Sequence, residues 1–373
     1  MKLHIINNEK ITQRTISVFE KVFPHDNKFI ILDTVMDRFD TSVYNSEIVF
    51  VGPRNKKGFW DAVGDLAVYQ HVIIHFLSYE VINLFGNATH PSIFWIEWGA
   101  DLYINLLHPR GYKLYENPDY AMKMLMPNLP LCVVKTLYQL RRRQYQRKYQ
   151  NFVQKVKYFV PDSMPGEYEL LLSYYPEFSH LIYRNFFYYP VDLIIKDRNL
   201  ISKGSNIMIN HCATLTGNHM ELLNILSEFN LNHKKIVIPV SYGNSNHALN
   251  VEEYANYLFG NNAIICKNYL PLDKYNELLE SCDVFIYGHY RQEAVGNILI
   301  AFYLGGKVYL HKDNPLFGFY KGIGLSVFSI EEDLSEVSVN EKLDAFSIKK
   351  NKQIIDEYYS ESKLYSLVEE SFR

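Results

Sequence analysis

"DVFIYGHYRQEAVGNILIAFYLGGKVYLH", from Asp283 to His311, passes from a short run of branched and aromatic residues through a polar loop into a stretch apolar on every side, then into a second short run. Val284 to Tyr287 reads as a buried strand, Gly296 to Leu304 as a buried helix and Lys307 to His311 as the next strand. A strand, a helix and a strand in that order make a βαβ unit. Its right-handed crossover leaves both strands parallel, with their carboxyl ends at one edge of the sheet.

The same alternation surrounds this stretch. Upstream come "IMIN", "GNHMELLNILSEF", "KKIVIPV", "VEEYANYLFG", "AIICK" and "LDKYNELLESC", which read strand, helix, strand, helix, strand, helix. The first half also separates short apolar runs by amphipathic ones: "KLHII", "ITQRTISVFEKVF", "KFIILD", "EIVFV", "AVYQHVIIHF", "YEVINLF" and "SIFWIEW". The expectation is an α/β protein with two doubly wound sheets. An N-terminal domain spans 1–196, a second spans 205–345, and a closing helix occupies 346–373, with Asp197 to Ser205 as the linker and Gly204 its pivot.

Composition sets the outer limits. With 373 residues, 48% hydrophobic and 21% charged, the chain has interior enough for two globular domains. A net charge of −3 is unlike the basic excess of a dedicated nucleic-acid binder, so no nucleic-acid partner is expected. Cys132, Cys212, Cys266 and Cys282 show no C-x-x-C pairing and read as reduced thiols. The opening "MKLHIINNEKITQRT" has no signal-type apolar core, and no segment is apolar for the length of a spanning helix.

The carboxyl ends of the second domain's strands carry the candidate binding residues. In the opening stretch, Tyr287 ends the strand, Arg291 and Gln292 supply side-chain donors, and Gly296 and Asn297 lie at the helix N-terminus. Free N–H groups and the dipole favour an anion there. The plainer alternative is an arginine paired with an acid and a glycine making a turn. Asn210 follows "IMI", Ser241 and Tyr242 follow "VIPV", and Tyr269, Leu270 and Pro271 follow "AIICK". Convergence of several such ends points to a nucleotide cleft, whereas each alone is an ordinary turn. No P-loop and no G-x-G-x-x-G follows the early strands, and there is no D-x-D. The expectation is therefore no cofactor and no metal, with Arg291 and the helix dipole neutralising a leaving group.

These residues carry a resemblance. "FWIEWGADLY" (Phe94 to Tyr103), "KIVIPVSY" (Lys235 to Tyr242), "YLPLDKYNELLESCD" (Tyr269 to Asp283), "RQEAVGN" (Arg291 to Asn297) and "KDNPLF" (Lys312 to Phe317) resemble, in this order, the TDP-N-acetylfucosamine:lipid II transferases of enterobacterial common antigen assembly. The resemblance implies a GT-B fold, two Rossmann-like domains facing a cleft, with the donor nucleotide in the C-terminal domain and the acceptor in the N-terminal one. It implies a TDP-sugar donor, an undecaprenyl-diphosphate-linked saccharide as acceptor, and a place on the cytoplasmic face of the inner membrane. "INHCATLTGNH" shares Asn210 and Asn218-His219 with the family but differs in length and in the residues between, so a related amino-dideoxy sugar fits as well as the family's own.

An inverting transfer needs a group that takes the acceptor's proton, and Asp101, Glu97 and His75 are the candidates. Asp101 follows a strand directly; its plainer use is as an N-cap for "LYINLL". His75 could be a core histidine, and Glu97 could point outward. "KTLYQLRRRQYQRKYQNFVQKVK", Lys135 to Lys157, carries eight basic residues and no acid. With Leu137, Tyr138, Leu140, Tyr145, Tyr149 and Phe152 interleaved, it reads as an interfacial helix for an anionic membrane, led by Arg141, Arg142, Arg143, Arg147 and Lys148. A solvated face is the alternative. The rival functions are a GT-B sugar-nucleotide epimerase and a non-catalytic nucleotide-sugar-binding protein.

Overall fold

The computed structural model describes residues 1–9, 11–33, 39–162, 164–195 and 201–373; the side chains of Arg141, Arg143, Leu272 and Asp273 lie outside that description, as do residues 197–200 of the expected linker. Two compact units result. One comprises Met1–Tyr112, Leu140–Tyr188 and Glu361–Arg373, the other Lys113–Gln139 and Tyr189–Ser360.

The first unit holds a seven-stranded sheet: β1 (Lys2–Asn7), β2 (Asn27–Leu32), β3 (Glu47–Val51), β4 (His71–His75), β5 (Ile93–Ile96), β6 (Tyr158–Val160) and β7 (Ile182–Tyr183), in the order β3-β2-β1-β4-β5-β6-β7. All pairs are parallel. β1, β2, β4 and β5 are buried at nearly every position, which is why they read as unbroken apolar runs rather than alternating ones. The tail forms two helices rather than one. Ala345–Tyr358 lies with the second unit, and Glu361–Phe372 returns to the first, where the Phe372 ring centroid sits 5.1 Å from Phe19 and 5.0 Å from Phe94.

The second unit repeats the design with β8 (Asn206–Ile209), β9 (Ile236–Pro239), β10 (Ala263–Cys266), β11 (Cys282–Tyr287), β12 (Lys307–Leu310) and β13 (Val327–Ser329), ordered β10-β9-β8-β11-β12-β13 and parallel throughout. Ile207, Ile209, Val284 and Ile286 of the central strands pack with Leu222 and Leu226 of the His219–Ser227 helix, all fully buried. The alternation read from the sequence is thus two doubly wound sheets. β13 and the Pro315–Gly322 helix had no counterpart in that reading. Strand order reverses between β8 and β11. The carboxyl edge at such a reversal is the place where folds of this kind hold ligands.

Candidate active site

Backbone constraints first fix the loops at this reversal. Asn210 adopts a left-handed conformation (φ 56°) directly after β8; its side chain accepts from the Gly288 N–H at 3.0 Å and donates to the Gly217 carbonyl at 2.8 Å. Gly288 has to be glycine, because a Cβ there would lie 2.4 Å from the Gly217 oxygen. Asn218, also left-handed, donates to the Gly288 carbonyl at 2.7 Å. From the far side Asn314 donates to the carbonyls of His289 and Arg291 at 2.9 and 3.0 Å. Asn210, expected to contact a donor, is thereby engaged in tying two loops together.

Inside this frame Glu293 is the hub. Its Oε2 accepts from Arg291 Nη2 and Thr216 Oγ1, both at 2.7 Å, and its Oε1 accepts from Thr214 Oγ1 at 2.9 Å. His289 Nε2 is 3.5 Å and His211 Nε2 4.0 Å from the carboxylate. Burial alone would push the carboxyl up, but the Arg291 guanidinium and the neighbouring imidazoles outweigh it and hold Glu293 well below the usual carboxylate range. Glu293 was not singled out in the sequence. The signal was available: it is the one acid between β11 and the next helix, two residues from Arg291.

Arg291 is 7% exposed, with Nη1 donating to the Gln292 carbonyl at 3.0 Å and its Nε buried without a partner. The helix that follows runs Val295–Tyr303 from a left-handed Ala294. Gly296 and Asn297 therefore lie in its first turn, Asn297 accepting from the Tyr275 hydroxyl at 2.7 Å. Tyr242 joins the group, its ring centroid 6.0 Å from that of His211. Ser241 precedes it in the loop after β9. Tyr269 is 71% exposed beyond the edge strand β10, alongside Leu270 and Pro271, and Tyr287 is sealed in the core with its hydroxyl unpartnered. Ligand atoms of His211, His289 and Glu293 lie within 4.8 Å of one another, a spacing that a divalent cation could use. Arg291 and two threonine hydroxyls already occupy that carboxylate, which suits the group better to an anion than to a cation.

The three candidate bases sit in the first unit, and all three are fully buried with partners. Asp101 accepts from Leu77 N–H at 2.8 Å and Trp95 Nε1 at 2.7 Å on one oxygen, and from Trp98 N–H at 2.9 Å on the other. The helix cap position falls on Gly99 instead. Burial pushes the Asp101 carboxyl up against the pull of these three donors. Glu97 points inward, not outward: it accepts from Gly99 N–H at 2.5 Å and presses against Glu167, so burial and that second carboxyl raise it well above its ordinary value. His75 bridges Tyr188 and His4.

With this geometry in place, the relatives can be named. The fold is that of the GT-B glycosyltransferases: a glycosyltransferase from Rickettsia africae superposes with a TM-score of 0.59 at 13% identity, covering 98% of this chain and 95% of that one. Anabaena HepE in complex with UDP and glucose gives 0.62 at 10% identity, covering 99% and 98%. WaaG, a glycosyltransferase of lipopolysaccharide biosynthesis, gives 0.54 at 11% identity, covering 99% and 98%. A family profile described as 4-alpha-L-fucosyltransferase, glycosyl transferase group 56, matches residues 171–362, and the chain belongs to that family. It is a GT-B glycosyltransferase.

Proposed function

We propose that the chain transfers an acetamido-dideoxyhexose of the N-acetylfucosamine type from a TDP-sugar to an undecaprenyl-diphosphate-linked saccharide at the cytoplasmic surface of the membrane. The observation that carries the donor half is Arg291. A buried guanidinium is fixed through Nη2 by Glu293, while its Nε–H has no acceptor, beside the first turn of the Val295–Tyr303 helix. An anion lodged there completes the arginine's hydrogen bonds and meets the positive end of the helix. A nucleoside diphosphate supplies such an anion, and HepE, of like fold, was captured with UDP and glucose. The thymidine base, the acetamido sugar and the lipid-linked acceptor come from the resemblance of the sequence motifs.

Among the described residues no helix is long and apolar enough to cross a membrane. Surface docking is supported by one face of the Leu131–Val153 helix, which holds or borders some of the residues first expected, Leu137, Leu140 and Arg147. Tyr149 and Phe152 are buried, Tyr145 packs edge-on against Tyr79, Arg142 donates to the His108 carbonyl and Lys148 to the Tyr79 hydroxyl. The exposed apolar residues are Val133, Leu137 and Leu140, continued upstream by Leu129 and Leu125. Residues 133, 137 and 140 share one helix face, and Arg147, also exposed, lies near it.

Calorimetric titration of TDP, UDP and GDP into the wild-type chain and Arg291→Ala tests the donor site. Charge-assisted hydrogen bonds of about 1.5–3 kcal/mol predict a loss of roughly ten- to a hundredfold in TDP affinity with an unchanged melting temperature. Equal TDP affinity in the two proteins refutes the assignment. Turnover of a TDP-sugar in the absence of any lipid acceptor would instead favour the epimerase.

A further inference from the structure

Each unit contains a chain of one tyrosine and two histidines, and the two chains end differently. In the first unit the Tyr188 hydroxyl is 2.7 Å from His75 Nδ1, His75 Nε2 is 3.1 Å from His4 Nδ1, and His4 Nε2 is 3.1 Å from Asn27 Oδ1. Asn27 donates its amide to the carbonyls of Phe23 and Phe19, which turns its oxygen toward His4. So His4 Nε2 donates, His75 Nε2 donates to His4, and Tyr188 donates to His75. One tautomer is fixed, and every ring nitrogen is satisfied.

In the second unit the Tyr120 hydroxyl is 2.8 Å from His247 Nδ1, and His247 Nε2 is 3.1 Å from His219 Nδ1. There the chain stops. His219 is fully buried, yet its Nε2 has no partner. Burial keeps both rings neutral, holding His247 at about 4 and His219 well below its ordinary value. The Asn250 side chain also hydrogen-bonds the Tyr120 hydroxyl, so the direction is set at that end of the chain. With Tyr120 donating inward, His219 Nε2 carries the proton and donates; with the chain reversed, Nε2 offers a lone pair. All three groups stay uncharged either way.

The His219 ring lies behind the wall of a cavity of about 390 Å³ that lies wholly within the second unit, between the stretch 115–121 and the His219–Ser227 helix. Tyr115, Tyr120 and Met220 give it apolar walls, while Asn224 and Glu221 give it polar ones. Glu221 has one carboxylate oxygen buried without a hydrogen bond. Ring faces beside amide and carboxylate groups suit a pyranose, which has apolar C–H faces and a rim of hydroxyls.

We propose that this cavity is a pyranose subsite and that His219 Nε2 is its hydrogen-bonding anchor, meeting a sugar hydroxyl or amide as donor or acceptor according to the direction set along Tyr120, His247 and His219. The inference takes the class of ligand from the glycosyltransferase reading. The sugar belongs either to the donor or to the acceptor.

The test uses the full chain with 15N-labelled histidine and N-acetylfucosamine as probe, followed by ring 1H–15N spectra. Millimolar sugar is expected to move the His219 Nε2 resonance while His4 and His75 stay in place. His219→Gln should weaken the sugar roughly three- to tenfold, the effect of one ordinary hydrogen bond, with TDP affinity within about twofold. Tyr120→Phe, at a partly exposed position, is expected to change the His219 response to sugar and keeps the test alive should His219→Gln fold poorly. Sugar binding that strengthens with saturating TDP assigns the donor's sugar; binding indifferent to TDP assigns the acceptor's. A His219 resonance unmoved by sugar in the folded wild type, or equal sugar affinity in wild type and a folded His219→Gln, overturns the proposal. Failure of TDP to bind would strike the donor reading alone, because the sugar spectra are read without nucleotide.

Discussion

Asp101 shows how far a single residue's role depends on what surrounds its oxygens. A base must offer a lone pair to substrate, and this carboxylate already accepts three N–H groups, from Leu77, Trp95 and Trp98. Asp101→Asn would turn an amide N–H₂ toward at least one of those donors, leaving buried groups unsatisfied at about 1–3 kcal/mol. The expected outcome is a melting temperature several degrees lower, with kcat of the folded protein and TDP affinity near wild type. A fall in kcat of roughly 10²–10⁴-fold at unchanged melting temperature would give Asp101 the role of base. Glu293 poses the matching question for metals. Its oxygens are taken by Arg291, Thr214 and Thr216, so turnover is expected to survive excess EDTA. A strict requirement for a divalent cation would assign one to His211, His289 and Glu293.

At the scale of elements, the sequence was most informative where periodicity alone decides. β8, β9, β11 and β12, with the helices between them, fall where the apolar runs placed them, because a strand buried on both faces has no other way to read; the half-buried edge strand β10 falls there too. Periodicity does not say which face of a helix finds a partner. Along Leu131–Val153, Tyr149 and Phe152 looked the same in sequence as Leu137 and Leu140, yet the first pair is core and the second is exposed. Nor does it say what gathers around an acid: Glu293 sat inside a quoted motif, but only the fold shows the loop after β8 bringing Thr214 and Thr216 to it. If the exposed face docks on lipid, Val133→Glu with Leu137→Glu should abolish sedimentation with anionic vesicles at low salt. Arg147→Gln should weaken it and reduce its salt dependence. Equal sedimentation of wild type and the double variant would remove the membrane role from this helix.

For the molecule as a whole, the buried ionisable groups fall into two classes with opposite pH signs. His4, held at about 3, and His75, His219 and His247 are depressed chiefly by burial, so folding keeps them neutral. The stability they contribute is present above their ordinary value of 6.5 and is lost as pH falls through and below it. Glu97 and Glu167 are raised instead, Glu167 to about 8, first by burial. Their contribution is full below the ordinary value of 4.5 and drains away as pH rises toward the folded value. Above pH 6.5 the histidines no longer change, and the carboxyl pair alone sets the slope of these two classes. The first unit should therefore lose stability between about pH 6.5 and 8. Glu167→Gln keeps the shape of the protonated acid and cannot ionise, so its melting temperature should vary less over that window and exceed that of wild type at pH 8. Melting curves at pH 6.5, 7.3 and 8 for the two proteins check this. Parallel pH dependence in both would mean that Glu167 is charged in the folded state, and that its proton is not what holds the buried acids of the first unit together.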